Sequence, residues 1–135
     1  MSVTLTDQDK ATVRTAAYGA VSLMAAADAA GSPHKTATEG TLALSSATGF
    51  VGHVLAAKST DIRLRGRTVA QLADQVLPAL TAAMSLLQQR DPAEANNFRG
   101  TVIVAIDAAA RTHQGAPSPA SAEMARKITA ALDAA

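Results

Sequence analysis

The sequence predicts an all-α fold: a compact bundle of five or six helices built from antiparallel helical hairpins, with the third helix kinked at Pro78. Three observations carry that prediction. Alanine, the best helix former, makes up roughly a quarter of the chain, while aromatics are 2%. Apolar residues recur at helical spacing, most clearly between Val69 and Leu87. Two corners share one punctuation, Gly31-Ser32-Pro33 and Gly115 followed by Ser118-Pro119. Gly accepts the left-handed backbone that ends a helix, Ser caps the next, and Pro takes the first helical position, where its missing N–H costs nothing. The corners can be laid over each other, so the first two and last two helices read as related hairpins.

A chain of 135 residues reads as a single domain, 1–135, long enough to bury a core without staples. Cysteine is absent, which excludes disulfides, thiolate metal sites and cysteine nucleophiles and suits a reducing cytoplasm. A formal net charge of +1 and scarce aromatics argue against nucleic acid as a partner, since binders show a strong basic face or stacking platforms. Two uncharged runs, Thr15 to Ala27 and Gly40 to Ala57, resemble a signal peptide and a membrane span. Asp7 and Asp9 spoil the basic flank of the first. Thr, Ser and three glycines make the second too polar. Both read as buried helices of a soluble, cytoplasmic protein.

Taken in order, Thr6 caps a helix from about Asp7 to Ala30, with Val13, Ala17, Ala20, Met24 and Ala27 on one face. Ser32 and Pro33 open a second helix that fades by Ala57 or Lys58; Gly40, Gly49 and Gly52 weaken it. The glycines near Phe50 read as points of close helix contact in preference to a break, with a kink near Gly49 as the alternative. Lys58 to Arg67 is a loop. Thr68 caps the third helix, whose Pro78 predicts a kink at Val76 to Leu77 or two helices meeting there. Asp91-Pro92-Ala93-Glu94 starts a fourth helix running to about Thr112. It is apolar on most sides, through Ala95, Phe98, Val102, Ala105 and Ala109 with Ile103 and Ile106, and so is placed at the centre of the bundle. Ser118-Pro119 opens the last helix, to about Asp133, with Met124, Ile128 and Leu132 inward.

Four constellations carry candidate chemistry. Asp28, His34 and Glu39 lie near one corner, and Asp107 and His113 near the other; imidazole and carboxylate together suit a divalent metal. No other cofactor is expected. Lys58, Arg63, Arg65 and Arg67 give the loop the Arg forks that suit phosphate or carboxylate, beside the helix start at Thr68. Ser45, Ser46 and His53 lack a strand–turn–helix elbow to expose a serine, so catalysis is not expected. The apolar stripe Val69, Leu72, Val76, Leu80, Met84 and Leu87 is a candidate interface for a second copy or a protein partner.

The corner Ala25-Ala26-Ala27-Asp28-Ala29-Ala30-Gly31-Ser32 resembles the signature turn of TerB-like tellurite-resistance domains. The resemblance implies a small all-helical protein of related hairpins with acidic residues at the turns proposed to hold metal; Asp28 is the matching position. Many Ala and Arg beside few Lys also make the chain similar to small Ala-rich actinobacterial proteins. The sequence therefore leads to a non-catalytic helical protein that works by self-association or partner binding. A TerB-like metal- or anion-binding stress protein is the alternative.

Overall fold

Residues 5–27, 40–44, 49–56, 68–110 and 119–135 are described from a computed structural model, Phe50, His53 and Ala56 by their backbone alone. Helix is the only regular secondary structure among them. The helices are α1 (Asp7–Ala27), α2 (Gly49–Ala56), α3 (Val69–Arg90), α4 (Pro92–Ala110) and α5 (Pro119–Asp133), and residues 40–44 are also helical. Both Gly–Ser-Pro corners and the 58–67 loop lie outside the described residues, as do the ends proposed for the first and fourth helices.

Short polar side chains set the helix starts. The Asp9 backbone N–H donates to Thr6 Oγ1 at 3.0 Å, and the Thr6 N–H donates to Asp9 Oδ2 at 3.2 Å. That reciprocal pair satisfies two donors the helix cannot, and its carboxylate faces the positive end of the helix dipole. Thr68 and Gln71 repeat the arrangement at α3, at 3.1 and 3.3 Å. Asp91 serves two helices at once. Its N–H closes α3 on the Leu87 carbonyl at 2.7 Å, while its Oδ1 accepts the Ala93 N–H at 3.0 Å to start α4. A single residue therefore joins the two helices.

Pro78 lies within α3, which is helical from Val69 to Arg90. The alternative of two helices meeting at Pro78 is corrected by that continuity. Proline removes the bond that the Asp74 carbonyl would otherwise accept. Asp74 and Pro78 are both exposed, so water can take that bond.

Gly49 decides between close helix contact and a kink: the backbone breaks there and also lies close to a neighbouring helix. The Gly49 φ is +72°, a left-handed backbone that no right-handed helix passes through. The second predicted helix is therefore interrupted there, and α2 begins at that residue. A Cβ on Gly49 would stand 3.1 Å from Glu94 Oε1, so α2 starts against the first turn of α4.

The central helix is α1. It touches each of α2, α3, α4 and α5, and it buries Val13, Ala16, Ala17, Ala20, Val21, Leu23 and Met24 on most of its circumference. Between Asp9 and Ala27 only Ala26 is exposed. Small side chains permit this. A Cβ added to Gly19 would lie 2.6 Å from Val76 Cγ2 of α3, and one added to Gly40 would lie 2.8 Å from Val21 Cγ1. Helix α4 also meets the other four, through Ala95, Phe98, Val102, Ala105, Ile106 and Ala109, but its opposite side is exposed. Its predicted central place belongs to α1. The cause is side-chain size: alanine faces give α1 weak periodicity in sequence yet the closest packing in space. Thr81 Oγ1 donates to the Ala131 carbonyl at 2.7 Å, tying α3 to α5.

Candidate functional site

The stripe proposed as an interface is consumed by the chain itself. Leu72, Val76, Leu80, Met84 and Leu87 are buried in the core, and Val69 packs against it half-buried. This is a correction with a simple reason: α1 takes up the apolar face that α3 presents, leaving no surface there for a partner.

Of the proposed metal ligands, Asp107 has a described position, exposed on α4. Asp28, His34, Glu39 and His113 lie outside the described residues, as do Lys58, Arg63, Arg65 and Arg67. Ser45 and Ser46 lie there too, and so does the His53 side chain. Glu123, near the second corner, is exposed and held by Arg126 Nη2 at 2.7 Å, which keeps its carboxyl below the usual range.

Among the described residues, α3 and α5 have exposed sides as well as α4, and the large exposed hydrophobics are Leu42 and Val104; Val104 lies on the outer side of α4. Ala93, Asn96, Gly100, Val104 and Asp107 are all exposed. Their spacing of three and four residues places them within about 80° of arc along roughly 21 Å of helix. At its centre stand two residues that helix formation disfavours. Gly100 costs ~1 kcal/mol against alanine inside a helix, and a Cβ built there meets nothing within 4 Å. No contact within the described chain compensates for that cost. One turn on, Val104 is β-branched and 56% exposed.

The flank of this face is fixed. Arg99 Nε donates to Asp133 Oδ1 at 2.7 Å and its Nη2 to Oδ2 at 3.2 Å, joining α4 to the end of α5. The guanidinium holds the Asp133 carboxyl below its ordinary range, and its positive charge offsets the unfavourable position of an acid at a helix C-terminus. At the start of the helix, Asn97 Nδ2 donates to Glu94 Oε2 at 3.1 Å. The face is therefore a supported ridge with a gap at Gly100 and a knob at Val104.

A second polar feature lies inside. Arg14 is 8% exposed, a buried charge on the central helix. One turn on, Tyr18 donates its hydroxyl to the Leu55 carbonyl at 2.7 Å, satisfying a carbonyl near the end of α2. Burial pushes the Tyr18 phenol above its ordinary value, and the Arg14 charge pulls it back. The arrangement fastens α2 to α1.

In comparisons with known proteins, no family model, curated protein or solved structure matches this chain. The site therefore rests on its own geometry. Sequence reasoning passed over Gly100 and Val104, although a glycine midway through a strongly capped helix is a signal. Arg14 was visible only as a charge, and its spacing of four from the single tyrosine was the clue to a shared face.

Proposed function

We propose that this chain is a cytoplasmic bundle of antiparallel helices, bent at Pro78, that works without catalysis by associating with a second copy. The outer side of α4 takes the role first given to the α3 stripe. One observation carries the reading: Gly100 and Val104 stand together on an exposed face where nothing within the described chain rewards either choice. Association would reward both, because a glycine lets another helix approach closely and a valine then loses its contact with water. Symmetric dimers are the commonest assembly of soluble chains, and they use one such face twice.

Light scattering over a range of protein concentrations tests this. The expected mass is twice that of the chain, falling to the single-chain value on dilution. A monomer at the highest concentration contradicts the reading. The TerB-like alternative predicts a different response: divalent ions would raise the melting temperature, and Asp28→Ala would abolish the rise.

A further inference from the structure

We infer that α2 is a latch: it leaves and rejoins the bundle as one unit while α1, α3, α4 and α5 stay packed together. The helix contacts divide the described chain in that way. Each of α1, α3, α4 and α5 touches the other three, so those four close a core among themselves. Helix α2 touches α1 and α4 and neither of the others, so its departure breaks no contact among the four. Its eight residues are too few to hold a helix alone, since an isolated helix needs about 12–15 residues. Docking and helix formation in α2 are therefore one event, and its residues cross between two states together.

The start of α2 is insulated from the chain before it. Gly49 is left-handed, so no helical hydrogen-bond ladder runs through it, and α2 can unwind without unravelling helical residues 40–44. The fastening is small. Val51, Val54 and Leu55 are the described core side chains of α2. Tyr18 adds one hydrogen bond, from its hydroxyl to the Leu55 carbonyl at 2.7 Å. That carbonyl lies in the last turn of α2, where the helix itself supplies no donor. Tyr18 is half-buried, and water replaces the bond on both groups when α2 leaves, so its net contribution is modest. Opening uncovers the α1 and α4 surfaces beneath α2 and keeps the four-helix core intact.

Amide hydrogen exchange of the dilute chain tests the latch, and two substitutions separate local opening from unfolding of the whole chain. Tyr18→Phe removes the tie on α2. Thr81→Ala removes the tie between α3 and the Ala131 carbonyl of α5, which the closed and opened states share. Thr81→Ala is expected to speed the slowest α3 and α4 amides roughly two- to tenfold and to leave the α2 amides unchanged. Tyr18→Phe is expected to speed the α2 amides by a similar factor. Equal acceleration of α2 and core amides by Thr81→Ala overturns the inference, because α2 then opens only when the whole chain unfolds. Unprotected α2 amides in the unaltered chain also overturn it, since no closed state then exists. The chain contains no cysteine, so introduced thiols give a second measurement that needs neither variant. Val54→Cys on α2 and Val102→Cys on α4 replace buried valines with side chains of similar size. The thiol at position 54 is expected to react with a thiol reagent roughly tenfold faster or more, without denaturant. Equal rates at the two positions contradict the latch.

Discussion

Gly19 and Gly100 are both glycines in the interior of long helices, yet they stand in opposite surroundings. Gly19 lies on the enclosed α1, where an added Cβ would press into the side chain of Val76. Gly100 lies on the outer side of α4, where the same atom would meet nothing within 4 Å. Each weakens its helix by the same ~1 kcal/mol relative to alanine. At Gly19 that cost is offset within the chain, because the missing side chain lets α1 and α3 pack at close range. At Gly100 the described chain offers no such return. The same residue type is thus matched to a packed neighbour on α1 and faces open space on α4.

The largest effect expected from this division is across α4 itself. Phe98 is fully buried on its inner side, and Phe98→Ala should cost about 3–5 kcal/mol through lost burial and the cavity left behind. Val104→Ala, two turns along on the outer side, should change monomer stability by less than about 0.5 kcal/mol. Urea unfolding in dilute protein measures both. Similar losses at the two positions would break the distinction between the faces.

A smaller effect is expected at the crowded glycine. Val76 is stiff about χ1 and fully buried, so it yields poorly to a new Cβ. Gly19→Ala should therefore lose roughly 1–2 kcal/mol despite its better helix propensity. Val76→Ala made in the Gly19→Ala background should cost less than Val76→Ala alone, because the added methyl partly fills the space. Additive losses in this cycle would show that the two positions do not share a contact.

The smallest effect is electrostatic. Hydrogen bonding to Arg99, followed by its charge, lowers the Asp133 carboxyl in the folded chain. A depressed acid contributes stability that is present above its unfolded value and lost as pH falls through its folded value. Stability should thus decline on the acid side of the carboxylate range, and Asp133→Asn should flatten that decline slightly. Both residues are well exposed, so added salt should shrink the difference. Urea midpoints across the acid range, at low and high salt, report it.

Much of the fold was legible because its signals are local. Thr6, Thr68 and Asp91 each announced a helix start through one short polar side chain, and the chain folds accordingly. The α3 stripe was equally plain, since bulky Leu and Val side chains mark a face strongly. Its use was not plain, because a stripe reads the same whether a neighbouring helix or another chain covers it. The central place of α1 escaped for a related reason: alanines differ little in hydrophobicity from face to face, so a helix enclosed by them shows a weak pattern. Gly49 could be read as a weak point, but its left-handed backbone depends on how α2 meets Glu94 and Asn97. Of the candidate site, the α3 stripe was legible as an apolar face, and its burial against the chain's own helices was not.

Helix α1 is enclosed by its own chain, while the outer side of α4 is exposed. Gly19→Ala and Gly100→Ala, unfolded in urea side by side in dilute protein, separate the two surroundings. Opposite signs are expected: a loss at Gly19, and a gain approaching ~1 kcal/mol at Gly100 from helix propensity alone. A loss at both positions would place a packed neighbour over Gly100 and contradict the contrast between the two helices.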